Sequence, residues 1–379
     1  MADKRKTSSN INGDAASASS SSMVKRARQD EDGARTMQLA ISSANDGTSK
    51  GLIRSVKRTS SLSSPIVSLT GAHTSEILDV KFSPDGQMIA AASSDRTISI
   101  WQTFGENRNI GILSGHAKAV TAITWSPSAP HTQPKLFSSS ADGTLIVWDV
   151  LAGAKLRRLR GHKGIINCIA CAPGGREILA SGGDDGKLML WDPNERDVLD
   201  VIDVTYPVTA VCFSDDGGQI YVGGLDNEIH VYDLMRKEIM FSMKGHTDTI
   251  TSLALSPSGS NLLSTAMDNT VCIWDVQPFA PEPLPGQSKN VRLYRTLQGA
   301  TTSGYENLLI KSAWSKDGRR VATGGTDRTC TIWNVDNSNI LYKLPGHRGT
   351  CTAVALHPQE PIIVSASVDA TMFLGEIEP

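Results

Sequence analysis

The chain has 379 residues, with 37 Lys and Arg against 39 Asp and Glu, and its formal net charge of −2 hides an asymmetry. Residues 1–64 hold 11 basic and 6 acidic side chains, or +5, which leaves the rest of the chain at −7. So acidic a body is a poor general phosphate binder, no run approaches the ~18 apolar residues of a spanning helix, and the charged start Met1–Asn10 lacks the apolar stretch of a secretory signal.

Residues 1–64 carry 15 serines and no aromatic side chain. Such a segment cannot bury enough apolar surface to offset its ordering entropy, and it is expected to be a disordered tail. Its densest basic cluster, Lys25, Arg26 and Arg28 around Ala27, has the composition of a nuclear-localisation signal. With no secretion signal, the six cysteines (Cys168, Cys171, Cys212, Cys272, Cys330, Cys351) read as reduced intracellular thiols.

From residue 65 the chain changes character. Short Val-, Ile-, Leu- and Thr-rich segments alternate with Gly, Asp, Asn and Ser-Pro turns, the pattern of many short antiparallel strands. One unit recurs to residue 379: Gly-His, a strand, Ser-Pro-x-Gly, a second strand, then an Asp six residues before a Trp-Asp. That Asp falls at Asp95, Asp142, Asp185, Asp226, Asp268, Asp327 and Asp369, at spacings of 47, 43, 41, 42, 59 and 42. The two long spacings coincide with insertions, Ser128–Lys135 and the proline-rich Gln277–Pro285, which must lie in loops because proline cannot donate to a ladder.

A period of ~40–45 residues with Gly-His and Trp-Asp punctuation resembles the WD-repeat family, whose repeat builds one blade of a propeller. The resemblance implies an all-β, seven-bladed propeller over 65–379. The last unit stops at Gly375-Glu376-Ile377, one strand short, and Ile66-Val67-Ser68-Leu69 is the unassigned strand expected to complete it and close the ring.

Three units carry a full His/Ser/Asp/Trp set: His116/Ser138/Asp142/Trp148, His162/Ser181/Asp185/Trp191 and His246/Ser264/Asp268/Trp274. Ser, His and Asp together invite a nucleophile reading. Recurrence around a ring argues against it, and the resemblance implies a buried structural tetrad instead, which also gives buried polar groups their partners. Unit four, with Val204, Val222 and Tyr232 in the His, Ser and Trp slots, is expected to rely on apolar packing. Tyr305 fills the His slot of unit six.

Other chemistry finds little support. Cys168-Ile169-Ala170-Cys171 is a lone C-x-x-C inside a strand, so its thiols should face opposite sides and pack rather than ligate a metal. No phosphate-cradling Gly loop follows a strand. No enzyme activity, cofactor or metal is expected.

By analogy with the family, the narrow end of the ring is lined by Glu76, Leu78, Ile165, Asn167, Leu225, Met267, Leu308, Ile310 and Val368. So many apolar residues suggest a protein partner.

Several stretches go beyond the generic repeat: Ala266–Pro281, Tyr305–Leu309, Leu341–His347, His357–Ile363 and Met372–Ile377. These are similar to a WD-repeat family of U5 small nuclear ribonucleoprotein subunits. That resemblance implies a nuclear splicing scaffold docked on the large central U5 protein, with RNA reached indirectly through the particle. The rival reading is a substrate receptor of a cullin ubiquitin ligase, which often places Arg two residues after the Trp-Asp pair. Here those positions are Leu151, Asn194, Met235 and Gln277.

Overall fold

The computed structural model describes residues 59–379 apart from 128–132, 175–176, 279–291, 305–307 and 378–379, together with two strands nearer the N-terminus. The chain divides into two compact units, Met1–Arg58 and Thr59–Pro379. In the first, Arg26–Gln29 pairs antiparallel with Arg35–Gln38. Arg26 and Arg28 lie in this two-stranded ladder. Lys25 lies outside the described residues.

The second unit consists of seven four-stranded antiparallel sheets. Their inner strands are Ile77–Phe82, Val120–Trp125, Ile166–Cys171, Val208–Phe213, Ile250–Leu255, Ser312–Trp314 and Cys351–Leu356. Each inner strand packs on the next, and the last packs on the first. The result is a seven-bladed propeller, in which radial repetition leaves only short edges at the rim. The apolar cores lie between blades: Leu113 and Ile98 of blade 1, for example, pack with Ile123 and Ile146 of blade 2. Fully buried Trp148, Trp191, Trp274 and Trp333 are the largest side chains in these layers, and burying each large apolar group contributes about 1.5–3 kcal/mol.

The seven Asp landmarks occupy the turns between second and third strands. The residue after each one has positive φ: Arg96, Gly143, Gly186, Asn227, Asn269, Arg328 and Ala370. In six of these turns the Asp carboxylate accepts the backbone N–H two residues on, from Thr97, Thr144, Glu228, Thr270, Thr329 and Thr371. This local bond compensates a left-handed backbone that otherwise costs about 1–2 kcal/mol outside glycine. The periodic Asp is therefore a turn requirement first.

Ring closure joins the two ends of the unit. Ile66–Leu69 is the outer strand of blade 7, with Ile66 opposite Gly375 and Leu69 opposite Met372. The compact unit starts at Thr59 rather than at residue 65, because the preceding residues are also bound. Thr59 and Ser60 donate backbone N–H groups to the Glu376 carboxylate at 2.6 and 2.9 Å, and Ser61 donates to Glu360 at 2.7 Å. Leu62 is buried in the core shared by blades 7 and 1.

Candidate functional site

The His/Ser/Asp/Trp residues of blades 2, 3 and 5 meet as continuous chains of hydrogen bonds. In blade 2, Trp148 Nε1–H donates to Ser138 Oγ at 2.8 Å, Ser138 Oγ lies 2.8 Å from His116 Nε2, and His116 Nδ1 lies 3.2 Å from Asp142. Blade 3 repeats this with Trp191, Ser181, His162 and Asp185 at 2.8, 2.8 and 3.0 Å. Blade 5 does so with Trp274, Ser264, His246 and Asp268 at 2.7, 2.6 and 3.0 Å. The glycine of Gly-His is fixed by the same packing, since a Cβ on Gly115 or Gly161 would sit 2.9 or 2.8 Å from the Trp148 or Trp191 ring.

Charge states differ among the sets. Burial pushes His116 and His162 below their ordinary value of 6.5 despite the nearby carboxylates, so these rings are neutral. Burial acts on His246 in the same sense, but hydrogen bonds that the ring donates to Asp268 and Cys272 raise it to about 9. Asp142 is held down at about 2 against the effect of burial, by hydrogen bonds from Thr144, the Ala117 backbone and His116. The serine hydroxyls are fully buried and already accept a Trp N–H. A hydroxyl so enclosed ties strands together and meets no substrate.

Blades 1 and 4 hold polar centres that sequence reasoning missed. Ala91 occupies the serine slot of blade 1, and directly across the ladder Ser99 supplies the hydroxyl instead. Its Oγ lies 2.7 Å from His73 Nε2 and accepts Trp101 Nε1–H at 2.8 Å, while His73 Nδ1 lies 2.9 Å from Asp95. Blade 4 packs Val204, Val222 and Tyr232 together in one apolar cluster, and beside it lies a polar contact that the slots do not show. Across from Val222, His230 bonds Asp226 at 2.5 Å and Ser242 at 2.6 Å. Blade 7 keeps His347, 2.9 Å from Ser365, with Phe373 packed on the ring where no Trp is present. Tyr305 lies outside the described residues.

The C-x-x-C thiols face opposite sides. Cys168 packs with the core toward blade 4 and Cys171 with that toward blade 2. Burial raises both thiols to about 12, which leaves them protonated and poor ligands. Among the described residues no cluster of His, Cys, Asp and Glu is arranged to hold a metal.

The candidate partner face separates into two groups. Ile165 and Leu225, on neighbouring blades 3 and 4, are 41% and 52% exposed. Glu76, Leu78, Met267, Leu308 and Val368 are half-buried. Asn167 and Ile310 do not belong to this face. Ile310 is 0% exposed, and Asn167, 9% exposed, ties blades together by donating to Val208 O at 3.0 Å and to Asp184 at 2.7 Å. Thr121, Thr251 and Thr352 make the same link to the carbonyls of Ile166, Ile310 and Ile77. These positions open the inner strands, where hydrogen bonds between blades compete with exposure to a partner.

The WD domain, G-beta repeat family matches seven segments: 63–102, 107–149, 153–192, 202–233, 237–275, 294–334 and 338–374. The first begins with the strand that completes blade 7, so the sequence repeat is offset from the blade by one strand. A human protein named U5 small nuclear ribonucleoprotein 40 kDa protein is 41% identical over 321 residues, covering 85% of this chain and 86% of that one. Its Dictyostelium discoideum counterpart is 38% identical over 336 residues, covering 88% and 91%. The pre-mRNA-splicing factor cwf17 of Schizosaccharomyces pombe is 36% identical over 322 residues, covering 85% and 90%.

Proposed function

The chain belongs to the WD-repeat family, and on that premise we propose that it is a non-catalytic scaffold of the U5 small nuclear ribonucleoprotein, acting in pre-mRNA splicing in the nucleus. The observation that carries this reading is the similarity to proteins named as splicing and U5 components, which covers 85–88% of the chain at 36–41% identity. The buried hydrogen-bonded tetrads support it from the physical side, because the Ser/His/Asp groups are spent on holding blades together. The partner is the large central U5 protein, and RNA is reached through the particle. Lys25, Arg26 and Arg28 serve nuclear import.

Docking uses apolar contact at the narrow end of the ring, centred on Ile165 and Leu225, and not phosphate neutralisation. The propeller's −7 charge agrees with that. The test replaces Ile165 and Leu225 together with Asp in the tagged full-length protein and measures recovered U5 RNA and protein. Desolvated anchors commonly contribute about 2 kcal/mol or more each, so recovery should collapse while melting stays near wild type. Undiminished recovery, with wild-type binding that falls steeply and log-linearly with salt, would favour direct phosphate contact and overturn this mode of docking.

A further inference from the structure

The outer strand of blade 2, Ala154–Arg160, carries Lys155, Arg157, Arg158 and Arg160. Around it, residues 150–176 hold six basic side chains and no acidic one, inside a propeller that is acidic overall. On the outer strands of blades 3, 4 and 6, lysines and carboxylates are paired. In blade 3, Asp203 takes Lys187 at 2.6 Å and Asp200 takes Lys237 at 2.8 Å. Lys244 of blade 4 meets Glu228 at 2.6 Å, and Lys343 of blade 6 meets Asp327 at 3.6 Å. Among the described residues no carboxylate pairs with Lys155, Arg157, Arg158, Arg160 or Lys163.

Geometry makes these cations a row. Lys155, Arg158 and Arg160 lie opposite Trp148, Ile146 and Thr144, so they share one face of the sheet. Arg158 and Arg160 are spaced about 7 Å apart along the strand. Arg157 and Arg158 each donate one N–H to a backbone carbonyl, of Asn194 and Gly115. This holds the guanidiniums at the rim without neutralising them. The ladder skips a residue at Trp148, which leaves Leu156 unpaired and 54% exposed. The strand is the edge of its sheet, so its outer backbone groups have no ladder partner.

Charges on an edge strand also guard against unwanted pairing. Guarding does not need uncompensated charge, because the neutralised pairs of blades 3, 4 and 6 guard as well and avoid the mutual repulsion of four cations. We propose that this edge docks an extended acidic segment of a partner protein, which adds a strand beside Ala154–Arg160. Carboxylates at alternate positions of that segment meet Lys155, Arg158 and Arg160, and an apolar side chain covers Leu156. RNA would use the cations but leave the edge N–H and C=O groups and Leu156 unengaged, so protein fits the surface better.

Two labelled probes titrated against the full-length protein test this: a dodecapeptide alternating Glu and Val, and a uridine dodecamer. The peptide should bind more tightly, and amide exchange should slow within 154–160 on binding. Lys155→Glu with Arg160→Glu, both exposed positions, should weaken peptide binding about tenfold without lowering the melting temperature. RNA binding as tight as the peptide's, no slowing of exchange at 154–160, or wild-type peptide affinity in the double variant would each overturn the proposal.

Discussion

Ser99→Ala isolates what a tetrad hydroxyl contributes, because blade 1 draws that hydroxyl from an unexpected strand. Ser99 Oγ accepts the Trp101 Nε1–H at 2.8 Å and lies 2.7 Å from His73 Nε2, and both partners are buried. Removal strands two buried polar groups at about 1–3 kcal/mol each. The expected loss is therefore about 2–6 kcal/mol, a large share of the 5–15 kcal/mol typical of a folded domain. Ala91 faces Ser99 across the ladder and fills the slot where blades 2, 3, 5 and 7 carry Ser138, Ser181, Ser264 and Ser365. Ala91→Ser alone should destabilise by overpacking, yet in the Ser99→Ala background it should recover half or more of the loss. Urea unfolding of the four proteins, followed by tryptophan fluorescence, gives the double-mutant cycle. A Ser99→Ala cost below about 1 kcal/mol, or a double variant no better than Ser99→Ala, would refute the tetrad's structural role in this blade.

The boundary at Thr59 predicts that deleting residues 1–58 leaves thermal stability nearly unchanged. Deleting 1–64 should lower it through the lost Glu376 and Glu360 bonds and the buried Leu62, and deleting 1–72 should abolish cooperative melting; equal melting of all three contradicts the closure. Because His116, His162 and His347 are held below 6.5 chiefly by burial, their contribution is present above that pH. It is lost as the pH falls, when the unfolded chain takes up protons first. His246, raised to about 9, contributes fully below 6.5 and loses that contribution as the pH rises toward 9. The urea midpoint should thus fall from pH 7 to 5, and His246→Gln should flatten the profile between pH 7 and 9; a flat profile below 7 would show the other three rings to be charged. Replacing Lys25, Arg26 and Arg28 with Ala should shift the protein toward the cytoplasm, as read by imaging a fluorescent fusion, and unchanged nuclear accumulation would remove the import role.

What was legible in the sequence is what repeats. The Asp landmark marks a turn followed by a left-handed residue, and seven such turns recur at a near-constant interval. The missing strand of the last unit was legible for the same reason. Features set by register between strands were not. A hydroxyl on Ala91's strand or on Ser99's strand reaches the same point, so a blank in one slot did not mean a lost tetrad. His230, opposite Val222, likewise adds a polar contact from a strand that the slots do not name. Family analogy assigns Ile310 to the narrow end of the ring, although its side chain is fully buried. The acid-free stretch 150–176 was readable by inspection, but its meaning depends on which carboxylates neighbouring blades bring close.

Recovery of the tagged full-length protein from nuclear extract, with the co-purifying RNAs sequenced and proteins identified at rising salt, tests the scaffold assignment most directly. The account predicts that U5 RNA and the large central U5 protein are enriched together and persist through physiological salt. Enrichment of a cullin ligase instead, or nuclear complexes without U5 RNA, would contradict it.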